Sequence, residues 1–239
     1  MRWIWSVFIV PWLLLGREMT SYLPFSPLIF DVGAYHGEKT EKYLRLGARK
    51  VICIEPQASC VAILKRKFGY INRVVILELA ASDKIGTIPF YINSRAKTIS
   101  TADLDWQMLT RFTENPSWDT WDIQIEIPTT TLDALIEMYG VPDFCKIDVE
   151  GHELFVLKGL TQPIPYMSFE YVPELLDQKT VPCLDHLETL GCPSYNVCFN
   201  NTETIACSDW MDREALLGFL RSQKDPGIMG DIYVRLRAE

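Results

Sequence analysis

The sequence predicts an α/β fold, a mainly parallel sheet covered by helices on both faces. Two observations carry that expectation. Apolar runs of strand length alternate along the chain with segments of helical length, the order that builds a parallel sheet through crossover helices. The first such run, Leu28–Val32, leads through an acid and a glycine-bracketed turn, Asp31-Val32-Gly33-Ala34-Tyr35-His36-Gly37, into a helix-compatible segment. A strand, a tight turn and a helix N-terminus in that order form the place where α/β proteins hold nucleotide-like ligands.

From that first strand, a helix is expected over 37–46, stopped by Gly47. A second buried-type strand over 50–55 ends in the carboxylate of Glu55 and leads through Pro56 to a helix over Ala58–Phe68. A third strand over 74–81 precedes a hairpin over 85–93 turning at Gly86. Residues 94–122 lack regular periodicity and hold Trp106, Trp118 and Trp121. Aromatic faces suit sugar rings, so this insert reads as a lid or acceptor platform, with core packing or a plain insertion as the alternative. A strand over 123–127 and the helix Leu132–Tyr139 lead to a fourth core strand over 144–149. A helix over 152–160, the strand Tyr166–Tyr171 and a helix over 184–190 follow. No internal repeat or linker divides the chain, so residues 28–239 are expected to form one domain behind an N-terminal segment, 1–27.

At 239 residues the chain is long enough for a full sheet-and-helix core, and 48% apolar residues place it among globular proteins. A net charge of −8 argues against a nucleic-acid substrate. The early basic residues (Lys39, Lys42, Arg45, Arg49, Lys50, Lys65, Arg66 and Lys67) read as a solvated helix face. Seven cysteines show no C-x-x-C pair, and Cys53 and Cys145 sit in apolar strand patterns where thiols act as small core residues. The odd total favours reduced thiols; pairing or metal binding by Cys192, Cys198 and Cys207 is the alternative. The triplet Asn200-Asn201-Thr202 is a formal glycosylation sequon of a kind that arises often by chance.

Residues 3–15 form an apolar run shorter than the roughly 20 residues a membrane helix needs, and no small-x-small cleavage site follows it. An interfacial anchor, a weak signal sequence and an upstream extension with translation starting at Met19 all stay open. The segment is expected to be dispensable. A cytoplasmic location is expected, with peripheral membrane association through residues 3–15 as the alternative.

Two ligand classes use a glycine turn of this kind. A dinucleotide site wants G-x-G-x-x-G so that the backbone can approach a pyrophosphate. Here the pattern is Asp31-x-Gly33-x-x-x-Gly37, with bulky Tyr35 where the middle glycine would sit. An acid just before the turn suits a ligand with a positive amino group, and an acid at the second strand's end can accept hydrogen bonds from both ribose hydroxyls. S-adenosylmethionine carries an α-amino group, a sulfonium and a ribose, and matches Asp31 and Glu55 better than a dinucleotide does.

Further on, Thr131-Leu132-Asp133 leads to Lys146-Ile147-Asp148-Val149-Glu150-Gly151-His152-Glu153. With these motifs the chain resembles the FkbM family of S-adenosylmethionine-dependent methyltransferases, which reads D-V-G-A-N-x-G-x-x-T at the first turn, then T-L-D and K-I-D-V-E-G-x-E. The match runs from about Ile29 to Glu170, and Gly230-Asp231-Ile232-Tyr233-Val234 resembles the family's closing strand. Tyr35 departs from the usual Asn. The resemblance implies a Rossmann-like class I methyltransferase fold, S-adenosyl-L-methionine as cofactor, and O-methylation of a hydroxyl on a sugar or small natural product. A non-catalytic nucleoside-binding domain and an NAD-type oxidoreductase are the rival readings.

The cofactor set expected from these motifs is Asp31, Gly33, Ala34, Gly37, Thr40, Glu55, Ala81 and Ser82. The last two lie where adenine should rest, and Asp83 is either a partner for its exocyclic amine or a turn cap. The catalytic candidates are Lys146, Asp148, Glu150 and His152. A period of two places the first three on one side of a strand end, where neighbouring charges perturb one another. A hydroxyl acceptor needs a base, and Asp148, Glu150 and His152 all qualify. No metal site is expected; ligation of a metal by these carboxylates is the alternative.

Overall fold

The computed structural model describes residues 19–103, 120–199, 204–223 and 229–237. Along the chain lie β1 (Leu28–Val32), α1 (Glu38–Arg45), β2 (Lys50–Ile54), α2 (Ala58–Phe68), β3 (Val74–Leu77), β4 (Ala80–Ala81), β5 (Gly86–Ile92) and β6 (Ile123–Thr130). They are followed by α3 (Leu132–Tyr139), β7 (Phe144–Ile147), α4 (Glu153–Lys158), β8 (Tyr166–Tyr171), α5 (Val181–Glu188), β9 (Cys192–Phe199), α6 (Arg213–Ser222) and β10 (Gly230–Arg237). The main sheet has the order β3-β2-β1-β7-β8-β10-β9. Its first five strands run parallel, and β10 enters antiparallel between β8 and β9.

Strand β1 is buried along its whole length, which requires cover on both faces. Alternation along the strand assigns each side chain to a face. Leu28, Phe30 and Val32 pack with Leu135, Leu157, Leu184 and Leu217 from α3 to α6. Ile29 packs on the other face with Tyr43 of α1 and Leu64 and Phe68 of α2. Burying these faces at about 25 cal/mol per Å² drives assembly of the sheet. The helices start on local signals: Thr131 Oγ1 accepts Ala134 N at 3.1 Å to cap α3, and Asp212 Oδ1 accepts Ala215 N at 2.8 Å to cap α6.

Strand order reverses at β1, whose neighbours are β2 on one side and β7 on the other. The crevice outside the carboxyl ends of these strands is the ligand-binding position in open α/β sheets.

Several elements differ from the sequence expectation. The strand expected over 74–81 divides: β3 pairs with β2, whereas Ala80 and Ala81 pair with Thr129 and Thr130 of β6. The hairpin expected over 85–93 is a single strand, β5, because its antiparallel partner is the distant β6. Strand β7 ends at Ile147, two residues early; Asp148 N still donates to Val32 O at 2.9 Å before the chain turns. Helix α5 begins at Val181 with Pro182 in its first turn, preceded by a π-helical turn over Leu176–Thr180. The stretch holding Cys192 and Cys198 is strand β9, and all seven cysteines are thiols.

The apolar run at 3–15, residues 104–119 of the insert and the triplet Asn200-Asn201-Thr202 lie outside the described residues. Among the described residues, no helix is long and apolar enough to cross a membrane.

Candidate active site

The glycine turn after β1 is shaped by close backbone approach. Gly33 N and Ala34 N both donate to Ile54 O, at 2.9 and 3.2 Å, which pins the turn to the end of β2. Gly33 has φ 80°, and a Cβ there would lie 1.7 Å from the carbonyl oxygen of Asp148. Only glycine fits both conditions. Gly37 also has φ 80°, and its Cβ would meet the Phe68 ring at 2.4 Å, so its spacing serves the packing of α1 on α2. Tyr35 adopts φ 45°, a left-handed conformation that Asn takes more readily, and its ring stacks on His36 with centroids 3.7 Å apart.

Beneath the turn, Thr40 Oγ1 donates to Asp31 Oδ2 at 2.6 Å. Both residues are fully buried, and burial raises the Asp31 carboxyl above its ordinary range while the Thr40 hydroxyl and Lys146 oppose the rise. This pair is a strut under the turn.

A cavity of about 160 Å³ opens at the carboxyl ends of β1, β2 and β7, with Gly33, Tyr35, Glu55, Ala81, Asp148 and His152 in its wall. Glu55 is 3% exposed. Its Oε2 accepts Tyr35 N at 2.9 Å and its Oε1 accepts Gln57 N at 2.8 Å. Each oxygen keeps a lone pair for a further donor. Burial pushes the Glu55 carboxyl up to about 7, against the pull of those two N–H groups. Gln57 Nε2 donates to Lys97 O at 3.1 Å, which fixes the amide so that the buried, unpartnered Oε1 is an acceptor. An orphaned acceptor in a cavity wall calls for a ligand donor.

Across the cavity stands the acid group at the end of β7. Lys146 Nζ donates to Asp148 Oδ2 at 2.6 Å and lies 3.9 Å from Asp231 Oδ1. Burial alone would lower the ammonium's pKa, but Asp148 and Asp231 outweigh it and hold Lys146 above its ordinary value. The expected Lys146–Asp148 pairing is thus present. Glu150 arrives differently, through a turn in which its own φ is 55°, and its carbonyl accepts Thr101 Oγ1 at 2.6 Å.

His152 is buried in the cavity wall at the N-cap of α4, stacked on Phe155. Ser82 Oγ donates to Asp83 Oδ1 at 3.1 Å and lies 3.1 Å from His152 Nε2. The serine has one proton, so Nε2–H donates to it and Nδ1 is left as a buried, unpartnered acceptor. Burial pulls the imidazole down to about 4, so the ring is neutral at pH 7. Of the expected residues, Gly33, Glu55, Ala81, Asp148, Glu150 and His152 share the cavity wall; Asp31, Ala34, Gly37, Thr40, Ser82 and Lys146 do not line it.

Two acids were missed by the sequence reading. Glu153 Oε1 accepts Val149 N and Gly151 N, each at 3.2 Å, which ties down the turn carrying Glu150. Its signal was the last acid of the Lys146–Glu153 motif. Burial pushes its carboxyl up to about 7. Glu170 sits on β8, and its Oε2 has neither solvent contact nor a hydrogen-bond partner. Burial, with Glu150 and Asp148 nearby, holds its carboxyl well above the ordinary range. A lone acid in an otherwise apolar strand was its only signal.

Residues 31–210 match the family model described as the methyltransferase FkbM domain. The chain belongs to this family. It is 27% identical over 171 residues to the 2-O-methyltransferase NoeI of Sinorhizobium fredii (strain NBRC 101917 / NGR234), covering 68% of this chain and 69% of that protein. It is also similar to the crystal structure of a methyltransferase FkbM from Methylobacillus flagellatus KT, with a TM-score of 0.53 and 15% identity. That alignment covers 92% of this chain and 48% of the other, so the FkbM chain described here spans about half the length of that protein. The class I methyltransferase fold implied by the sequence motifs is the fold observed.

Proposed function

We propose that this FkbM-family methyltransferase uses S-adenosyl-L-methionine to methylate a hydroxyl of a sugar or small natural product. The observation that carries the reading is the single cavity whose wall holds Glu55 on one side and Asp148 with His152 on the other. A ribose clasp and a proton acceptor are the two things such a reaction requires of the protein. The relative named a 2-O-methyltransferase supports oxygen as the acceptor atom.

The bound cofactor supplies an electrophilic methyl group on its sulfonium. The chain's own residues do the rest. Glu55 accepts the ribose hydroxyls on its free lone pairs, and Gln57 Oε1 takes a further donor. Asp31 and Thr40 hold the Gly33–Gly37 turn in shape, and Ala81 forms an apolar seat for the base. Lys146 fixes the orientation of Asp148, so Asp148 can take the acceptor's proton. Neutral His152, with its bare Nδ1, is the second group that can hold that proton. The acceptor is a small molecule or glycan; a net charge of −8 disfavours nucleic acid.

Incubation with S-adenosylmethionine labelled in the methyl group and a panel of sugar and natural-product hydroxyls tests this directly. Asp148→Asn keeps the shape and removes the charge, so it should leave the melting temperature near the wild-type value while lowering turnover by about 10²-fold or more. Cofactor binding without turnover on any acceptor would favour the non-catalytic reading. Preferential binding of NADH would overturn the assignment.

A further inference from the structure

We propose that Asp148, Glu150 and Glu170 form a binding site for a hard divalent cation, magnesium or manganese, beside the cavity. Each residue offers one carboxylate oxygen, and these three atoms lie within 4.8 Å of one another. An octahedral site with ligands at about 2.1 Å places neighbouring oxygens about 3.0 Å apart and opposite ones about 4.2 Å apart. The three oxygens are therefore already close to coordinating distance. An all-oxygen donor set selects magnesium, manganese or calcium over softer metals.

A second observation points to a cation independently of the clustering. Glu170 Oε2 is shut off from solvent and has no hydrogen-bond donor. A buried carboxylate oxygen with no partner is expensive. Lys146, which could have served it, is committed to Asp148 at 2.6 Å and stands 3.9 Å from Asp231.

The donors are also well supported. Strands β7 and β8 pair in parallel with Ile147 opposite Phe169, so Asp148 and Glu170 follow next to each other in register. The turn that presents Glu150 is held by Glu153 and Thr101. A cation here has positions left over for water or an acceptor oxygen. Its use in catalysis rests on the methyl-transfer reading, since it would bind the acceptor hydroxyl and make it more acidic. Its binding does not.

The test is manganese binding to the full chain, stripped with chelator and held free of cofactor and acceptor. Free Mn²⁺ is followed by electron paramagnetic resonance, and magnesium is followed by its effect on the melting temperature. One saturable site is expected, with Glu170→Gln and Glu150→Gln each weakening it by about tenfold or more. Magnesium should raise the melting temperature of the wild type but not of Glu170→Gln. Glu137→Gln, at an exposed position on α3, should change neither result. If Glu170→Gln fails to fold, Glu150→Gln at its partly exposed turn position decides. The absence of saturable binding, or binding that survives these substitutions, overturns the proposal. Neither result bears on methyl transfer, which is read separately by label incorporation.

Discussion

Glu55 is asked to be two things at once. Two backbone N–H groups orient it as the proposed ribose clasp requires, yet burial pushes its carboxyl up to about 7, with Asp31 and Asp148 adding to the rise. Ribose hydroxyls donate, so they bind the ionised form better. Affinity for S-adenosylhomocysteine should therefore be full above about pH 7 and decline below it, by at most about tenfold per pH unit. Titration calorimetry at pH 6, 7 and 8 measures this. Glu55→Gln should flatten the profile, and Glu55→Ala should cost about 2–4 kcal/mol of binding at pH 8, two charge-assisted hydrogen bonds. Unchanged affinity in Glu55→Ala would remove the ribose clasp from the proposal. At this scale the sequence was informative where a residue ended a strand: Glu55 and the Lys146–Asp148 pair could be read from acids at the ends of apolar runs. Glu170 and Gln57 could not. Their role depends on which partner is missing, and a missing partner exists only once the surrounding atoms are in place.

Elements whose reasons are local matched closely: Leu28–Val32, Ala58–Phe68, Leu132–Tyr139 and Tyr166–Tyr171 have the bounds that apolar run, cap and stop signals predict. Misreadings arose where pairing is distant. Strand β5 looked like half of a local hairpin, but its partner β6 lies beyond the insert, and the short β4 leaves the main sheet to join the same pair. Strand β9 holds Pro193 and Asn196, which dilute a strand pattern; Asn196 is nevertheless buried, because its side chain donates to Cys207 O at 2.8 Å. The strand–turn–helix unit makes its own prediction. Gly33→Ala would place a methyl against the Asp148 carbonyl at positive φ, and should destabilise the protein by about 1–3 kcal/mol or more. Gly86→Ala, where a Cβ meets nothing within 4 Å, should cost nothing and could gain up to about 1 kcal/mol. Chemical denaturation of both variants checks the contrast; equal effects would mean that the backbone shifts freely at the turn.

At the scale of the whole molecule, buried acids outnumber buried bases at the carboxyl ends of the sheet among the described residues. Glu55 and Glu153 have folded pKa values raised by burial from 4.5 to about 7, and burial with Glu150 and Asp148 nearby also raises Glu170. A carboxyl raised on folding binds its proton more tightly in the native state, so its contribution is present at low pH and lost as pH rises through the folded value. His152 works the other way: lowered from 6.5 to about 4, it contributes above 6.5 and loses that contribution as pH falls. The histidine's gain fades out above about pH 7.5, and between about pH 6.5 and 8 the loss from the acids outweighs it. The chelator-treated protein should therefore melt at a higher temperature at pH 6.5 than at pH 8, and Glu153→Gln should narrow the gap. A melting temperature that climbs over this range would contradict the burial of these acids. The same region also joins the two sheets. Thr101 holds the carbonyl of Glu150, Trp121 Nε1 holds Ile99 O at 2.7 Å, and Ser100 and Ala102 belong to the cavity wall. What the cavity admits and how its acids are aimed are thus set by one short piece of chain. If the cavity takes the acceptor as proposed, substitutions at 98–102 that reshape it will also displace the turn of Glu150, so acceptor range and the aim of that acid change together.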